Sequence, residues 1–236
     1  MTFDYDSIPI GYYDQVHAAG RGVQSKWHHH KFAHVQRSMA GLRNHLDIGC
    51  GPGTFIGSLP AGRHDSVGID VAAPQIAYAT EKYGSQGRTF QTMQPGILPF
   101  DSDRFDVVTL IEVIEHLPNE ENERLLGEAL RVLKPGGVLL ASTPNYGGVY
   151  PAVEALVNRL GEIDYRHQHI THYTRSRLTN LITKVGARDA KVRAFMFAAP
   201  FFAALSWNCA DMVEKLEPDW VRDRFGLLLL ARGVKG

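Results

Sequence analysis

The chain has 236 residues, and 25 Lys+Arg balance 25 Asp+Glu, so its formal net charge is zero. That balance argues against a general nucleic-acid binder, and the two cysteines, Cys50 and Cys209, form no C-x-x-C, so neither a disulfide framework nor a thiolate zinc site is supported. The longest apolar run, Ala194 to Leu205, is broken by Pro200 and is too short to span a bilayer. A chain of this length buries a full core unaided. The expectation is one domain over 1–236 in the reducing cytoplasm, with no signal peptide in the acid-, Pro- and Gly-containing opening.

In chain order, Val23, Trp27, Val35 and Met39 recur at multiples of four, with Phe32 beside them. This predicts an amphipathic helix over roughly 22–40 inside an N-terminal cap region, 1–40, with the histidines of the HHHK run mostly on its wet side. Alternating strands and helices follow. HLDIG (45–49) and SVGID (66–70) read as strands, Pro74 to Tyr83 as a helix, and RTFQTM (88–93) as a third strand. FDVVTLI (105–111) is nearly all apolar, as a strand buried on both faces should be. Leu125, Leu126, Ala129, Leu130 and Leu133 stripe a helix over 119–133 that stops at KPGG (134–137), and GVLLAST (137–143) is the next buried strand. Regularity lapses over 144–175, which reads as an insertion after the fifth strand. A helix resumes over 175–186 with Gly186 as its stop, and strands are expected near 190–197 and over 226–232. Repeated βα units predict a mostly parallel sheet with helices on both faces, and ligands outside the carboxyl ends of its strands.

LDIGCGPGT (46–54) joins a strand to a helix through Gly49, Gly51 and Gly53, a backbone that a ligand can approach closely. The spacing is G-x-G-x-G, not the dinucleotide fingerprint, and no Lys-Ser/Thr follows to make a P-loop. Asp70 ends the next strand, where a carboxylate can accept from both hydroxyls of a ribose. Loop and acid together indicate a nucleoside-containing cofactor.

From these residues onward the sequence resembles the class I S-adenosylmethionine-dependent methyltransferases. LDIGCGPG resembles their first motif and GIDVA their second. ILPFDSDRFDVVTLIEVIEHL resembles the region of their fourth strand, and LRVLKPGGVLLASTPN the helix, turn and fifth strand that follow. HQHITHYTRSRLTNLITKVGA resembles a helix entry of the small-molecule branch that includes the ubiquinone-biosynthesis O-methyltransferases. The resemblance implies a Rossmann-like seven-stranded α/β sheet with an antiparallel last strand and S-adenosylmethionine as cofactor. It implies that Asp47 and Gly49 hold the methionine end, that Gly51 and Gly53 complete the loop, and that Asp70 meets the ribose. Val71 would flank the adenine, Ile97 its edge, and Ile111 the methionine moiety. Gln94 stands where the family often carries an acid near the adenine amine. Tyr13, Gln24 and Trp27 are candidates to close the site, with plain packing as the alternative for Trp27.

IEVIEHLP (111–118) places Glu112, Glu115 and His116 at i, i+3 and i+4, one face of a helical turn. Further histidines, His167, His169 and His172, and Tyr146, Tyr150 and Tyr165 come from the 144–175 insertion, which the resemblance implies is on the acceptor side. Three readings stand. A histidine, His116 or His169, acts with Glu112 as the acid–base group that deprotonates the acceptor. Glu112, Glu115, His116 and His169 bind magnesium or manganese, as a similar E-x-x-E-H is linked to metal in small-RNA 2′-O-methyltransferases and quinone O-methyltransferases. Or the cluster is a polar network that stabilises its turn. The expected function is O-methylation of a small molecule (quinone, polyketide or sugar-linked) by direct in-line transfer. The alternatives are a metal-assisted RNA 2′-O-methyltransferase, which zero net charge disfavours, and a non-catalytic cofactor-binding subunit. The aromatic stretch 194–207 reads as a buried strand and helix, or as a hydrophobic channel or membrane-touching lid. Arg159, Arg166, Arg175 and Arg177 are scattered surface arginines or contacts for an acidic acceptor. No oligomeric state is legible.

Overall fold

The computed structural model describes residues 9–160 and 168–236. Its elements run α1 (Tyr12–Ala18), α2 (Gly22–Ser38), β1 (Asn44–Ile48), α3 (Thr54–Ser58), β2 (Asp65–Asp70), α4 (Ala73–Tyr83), β3 (Arg88–Thr92) and β4 (Phe105–Ile111). A 3-10 turn (Ile114–His116) leads to α5 (Asn119–Val132), β5 (Leu133–Pro144), α6 (Tyr150–Leu160), α7 (Arg175–Lys184), β6 (Arg188–Phe195), α8 (Ala199–Phe202), α9 (Trp207–Leu216), α10 (Asp219–Phe225) and β7 (Leu228–Val234). The seven strands form one sheet in the order β3-β2-β1-β4-β5-β7-β6. β7 is antiparallel to both neighbours and the other pairs are parallel, as expected.

Consecutive residues of the central strands serve opposite cores, which is why they read as unbroken apolar runs. Val108 and Leu139 face Leu126 and Leu130 of α5 and Leu178 and Ile182 of α7. Val107, Val138 and Leu140 face Phe32 and Val35 of α2, with Phe55. The chain turns outward in opposite directions from β1 and β4, so the carboxyl ends of these neighbouring strands form the switch-point crevice where ligands of open α/β sheets bind.

Four expectations are corrected. The histidines of α2 are not on a wet side: His30 and His34 are buried, because α9 covers that face and supplies Asp211, 3.2 Å from His30 Nε2, and Glu214, 2.6 Å from His34 Nε2. The 144–175 insertion is not irregular throughout, since it contains α6. KPGG does not separate helix from strand. The ladder pairs Phe105 with Leu133 and next Val107 with Val138, so 134–137 bulges within β5. The cap region carries an additional helix, α1, whose fully buried Asp14 accepts from Tyr78 Oη at 2.8 Å and also meets Tyr83 and Lys82, fastening the cap to α4. Of the 194–207 stretch, Phe195, Met196 and Ala199 are buried while Phe201, Phe202 and Leu205 lie on the surface. No helix among the described residues is long and apolar enough to cross a membrane.

Candidate active site

β1 ends in the glycine turn, and its geometry follows from hydrogen bonding. Gly49 N and Cys50 N donate to Ile69 O at 2.8 and 3.0 Å. Asp70 faces the turn: its Oδ2 accepts from Gly51 N and its Oδ1 from Ala72 N, both at 2.8 Å. Gly51 has φ +50°, and a Cβ there would meet nothing within 4 Å, so open space lies over the backbone where a ligand could approach. At Gly53 a Cβ would strike Phe90 and Ala79 below 3.0 Å, so this residue serves packing. Gly49 likewise makes room for Val113.

Asp47 is 2% exposed at the end of a buried relay. Ser66 Oγ donates to His45 Nδ1 (3.1 Å), His45 Nε2 donates to Thr109 Oγ1 (2.8 Å), and Thr109 donates to Asp47 Oδ1 (2.5 Å). Burial lowers the pKa of His45 to about 3, so the ring is neutral and can link two hydroxyls. Burial, with Asp70's charge adding, raises that of Asp47 to about 7 against the Thr109 bond. The folded chain therefore keeps a proton that an unfolded aspartate loses near 3.8. The stability linked to it is intact below that pH and is lost as pH rises through about 7. By pH 8 the buried charge costs the fold on the order of 2–4 kcal/mol. Asp47→Asn is expected to raise the melting temperature by several degrees at pH 8 and little at pH 4, read by thermal denaturation across pH. A constant difference would contradict the assignment.

The remaining cofactor candidates lie at the carboxyl ends of β2, β3 and β4 or just after them. Val71 is half-buried against the core, Ile111 ends β4 partly buried beside Phe32, and Gln94 and Ile97 are exposed on the loop after β3. Tyr13 packs at a tilt on His28, Trp27 packs on the Phe32 cluster, and Gln24 is exposed.

The second half of the site forms after β4, where the expected helical face is corrected. Glu112 has φ +56°, a left-handed conformation that costs a bulky residue on the order of 1–3 kcal/mol. The turn begins only at Ile114, so Glu112 does not share its face, and its Oε1 accepts from Ser142 Oγ at 2.9 Å. Glu115, His116 and His169 instead converge: one ligand-capable atom from each lies within 4.8 Å of the others. Glu112 is outside that group, a correction to the expected ligand set. His116 Nδ1 donates to Gln168 O at 2.8 Å, which leaves the lone pair on Nε2. Burial depresses its pKa to about 4, so it is neutral at pH 7. Glu115 is fully buried, and neither carboxylate oxygen has a hydrogen-bond partner among the described residues. Burial first and Glu112's charge second push its pKa well up, which favours the protonated carboxyl. Two oxygens and a nitrogen lone pair fit a hard or borderline divalent cation.

Three residues missed in sequence complete the assembly. Buried Asn122 donates to Ile114 O, Leu117 O and Tyr173 Oη at 2.7, 3.0 and 2.9 Å, holding the 3-10 turn against the 168–173 segment. Glu154 of α6 accepts from His169 Nδ1 at 2.6 Å and from Tyr146 Oη at 2.8 Å. Tyr146 stacks on His172 with centroids 3.9 Å apart. The third is Lys31, treated below. Tyr150 lies nearby, its hydroxyl held un-ionised first by burial and then by Glu112 and Glu154. Arg175 pairs with Asp223, Arg177 bonds His172 O and Asn119, and Arg159 is exposed, the scattered-surface reading. Tyr165, Arg166 and His167 lie outside the described residues.

A glycine turn facing a carboxylate at the switch point of this sheet defines a class I methyltransferase fold, and residues 46–141 match the family model described as a methyltransferase domain. The likeness is to the class I S-adenosylmethionine-dependent methyltransferases. It is 31% identical to the ubiquinone biosynthesis O-methyltransferase of Methylococcus capsulatus over 118 residues, 49% of this chain and 48% of the relative. To that of a Bradyrhizobium species it is 35% identical over 115 residues, 45% and 42% of the two chains. The chain thus spans about half the length of the curated relatives it matches. Among solved structures, a methyltransferase from Thermotoga maritima aligns over 95% of this chain and 94% of its own, with TM-score 0.68 and 18% identity. Phosphoethanolamine N-methyltransferase 2 of Haemonchus contortus, bound to S-adenosyl-L-methionine, aligns over 87% and 52%, with TM-score 0.61 and 16% identity. These likenesses establish the fold.

Proposed function

We propose that the chain methylates an oxygen of a small molecule. Its relatives' names and the open backbone at Gly51 opposite Asp70 support the donor side. When bound, S-adenosylmethionine supplies a methyl group on a sulfonium. Asp47 and Asp70 mark the places for its amino-acid and ribose ends, and the glycine turn orients it. Positioning of two reactants can account for roughly 7–11 kcal/mol of a barrier.

The observation that carries the oxygen assignment is the Glu154–His169 pair beside His116. An acceptor hydroxyl must lose its proton during transfer, whereas the departing thioether needs none. Glu154 fixes His169's tautomer by holding Nδ1, so Nε2 is the nitrogen that takes the acceptor's proton. Glu112 is a positioning residue in this reading, bonded to Ser142, and His116, neutral at pH 7, is a hydrogen-bond acceptor for the substrate.

A second reading has a specific observation in its favour: unpartnered Glu115 beside His116 and His169 fits magnesium or manganese. Bound there, a cation would acidify the acceptor hydroxyl. The two readings separate in one experiment. Small-molecule extracts and simple phenols are incubated with methyl-labelled cofactor, with and without chelator, and the labelled product is identified. The principal reading expects an O-methyl ether and a rate indifferent to chelation. Loss of rate on chelation, restored by magnesium, selects the metal reading, and label on nitrogen, carbon or RNA overturns the proposed acceptor class.

A further inference from the structure

Buried charges in proteins are almost always paired, because desolvation of a lone ion is costly. Helix α2 buries two lysines and treats them differently. Lys26 is 4% exposed, with Asp211 at 2.7 Å and the Trp207 ring 4.4 Å from its ammonium. Lys31 is 6% exposed, yet among the described residues no carboxylate lies within 4.0 Å of its Nζ and no acceptor lies within hydrogen-bond distance. Its one ring contact is Phe32, at 5.8 Å. Phe32 clusters with Phe55 and with Ile111, which precedes Glu112 at the end of β4. This packing places the 31–32 stretch of α2 by the carboxyl end of β4, and the Lys31 charge acts on Glu115 and on His28. Asp47, at the cofactor's amino-acid end, responds to Asp70 and Thr109 instead.

We propose that Lys31 recognises the methyl acceptor by pairing with a carboxylate that the acceptor carries apart from its reacting hydroxyl. The inference rests on the methyl-transfer reading above and narrows its acceptor to hydroxylated organic acids. An ammonium on a buried side chain, left without a counter-ion, gains more from such a partner than one on an exposed lysine would. A cation here also separates acids from their neutral analogues, since a neutral ligand leaves it unpaired. The cofactor's own carboxylate is the other source of the same chemistry.

The test uses the full chain saturated with S-adenosylhomocysteine, titrated by calorimetry with 3,4-dihydroxybenzoate and separately with catechol. The wild type is expected to bind the acid roughly tenfold or more tightly than catechol. In Lys31→Met the two affinities should converge, with S-adenosylhomocysteine affinity unchanged within about twofold. Lys31→Arg, which keeps the charge, should retain the preference and guards against a methionine variant that fails to fold. A wild type that favours neither compound or binds neither overturns the proposal. So does a tenfold loss of S-adenosylhomocysteine affinity in Lys31→Met, which assigns the lysine to the cofactor's carboxylate. A wild type that takes up no S-adenosylhomocysteine removes the methyl-transfer reading itself, and this inference with it.

Discussion

His169→Ala is expected to lower kcat by about 100- to 10,000-fold, the usual contribution of a positioned base, while S-adenosylhomocysteine binds as before. Glu154→Gln should lower it by roughly ten- to a hundredfold with KM nearly unchanged, because the amide can no longer fix the tautomer through a charged bond. The 2.6 Å contact between Glu154 and His169 Nδ1 is the basis of both expectations. A merely structural Glu154 would affect melting temperature and leave the pH–rate profile in place. The positioning role predicts a displaced profile in Glu154→Gln and partial recovery in Glu154→Asp. Unchanged turnover in His169→Ala across pH would exclude it as the base.

Asp70→Ala should weaken S-adenosylhomocysteine binding by about a hundredfold or more, the scale of losing charged hydrogen bonds in a largely buried place. The same carboxylate orders the turn itself, since it accepts from Gly51 N and Ala72 N. Asp70→Asn separates the two roles: an amide oxygen still accepts one backbone bond, so the turn should persist while the ribose contact weakens. Thermal melts of both variants, run alongside calorimetry, distinguish a lost ligand contact from a collapsed loop. Affinity equal to wild type in Asp70→Ala would remove the ribose assignment.

What was legible in the sequence is what local physics dictates. A strand buried on both faces must be apolar throughout, so β4 and β5 could be read directly. A left-handed turn favours glycine, so the 49–53 loop and Asp70 in register after it could be placed from the sequence. What failed depends on contacts made across the fold. His30 and His34 read as solvated because nothing local announces that Asp211 and Glu214, some 180 positions away, will cover them. Glu112, Glu115 and His116 share a face only if the helix begins at Glu112, and the positive φ there sends Glu112 to Ser142 instead. Glu154 carried no motif at all, and its importance arises from the helix that lays it against His169. Lys31 was read as part of a histidine run on a helix surface, and only its burial without a partner sets it apart. Asn122 could have been suspected, as an amide in the first turn of an amphipathic helix otherwise lined by leucines.

The account depends on a nucleoside donor settling over the 49–53 turn with its ribose on Asp70. Calorimetric titration of S-adenosylhomocysteine into the wild-type chain tests this most directly. One site per chain is expected, with micromolar affinity, and with a proton released at pH 6 as Asp47 ionises on meeting the ligand's ammonium group, visible as a dependence of the heat on buffer. No heat at high micromolar ligand, together with an Asp70→Ala variant indistinguishable from wild type, would contradict it.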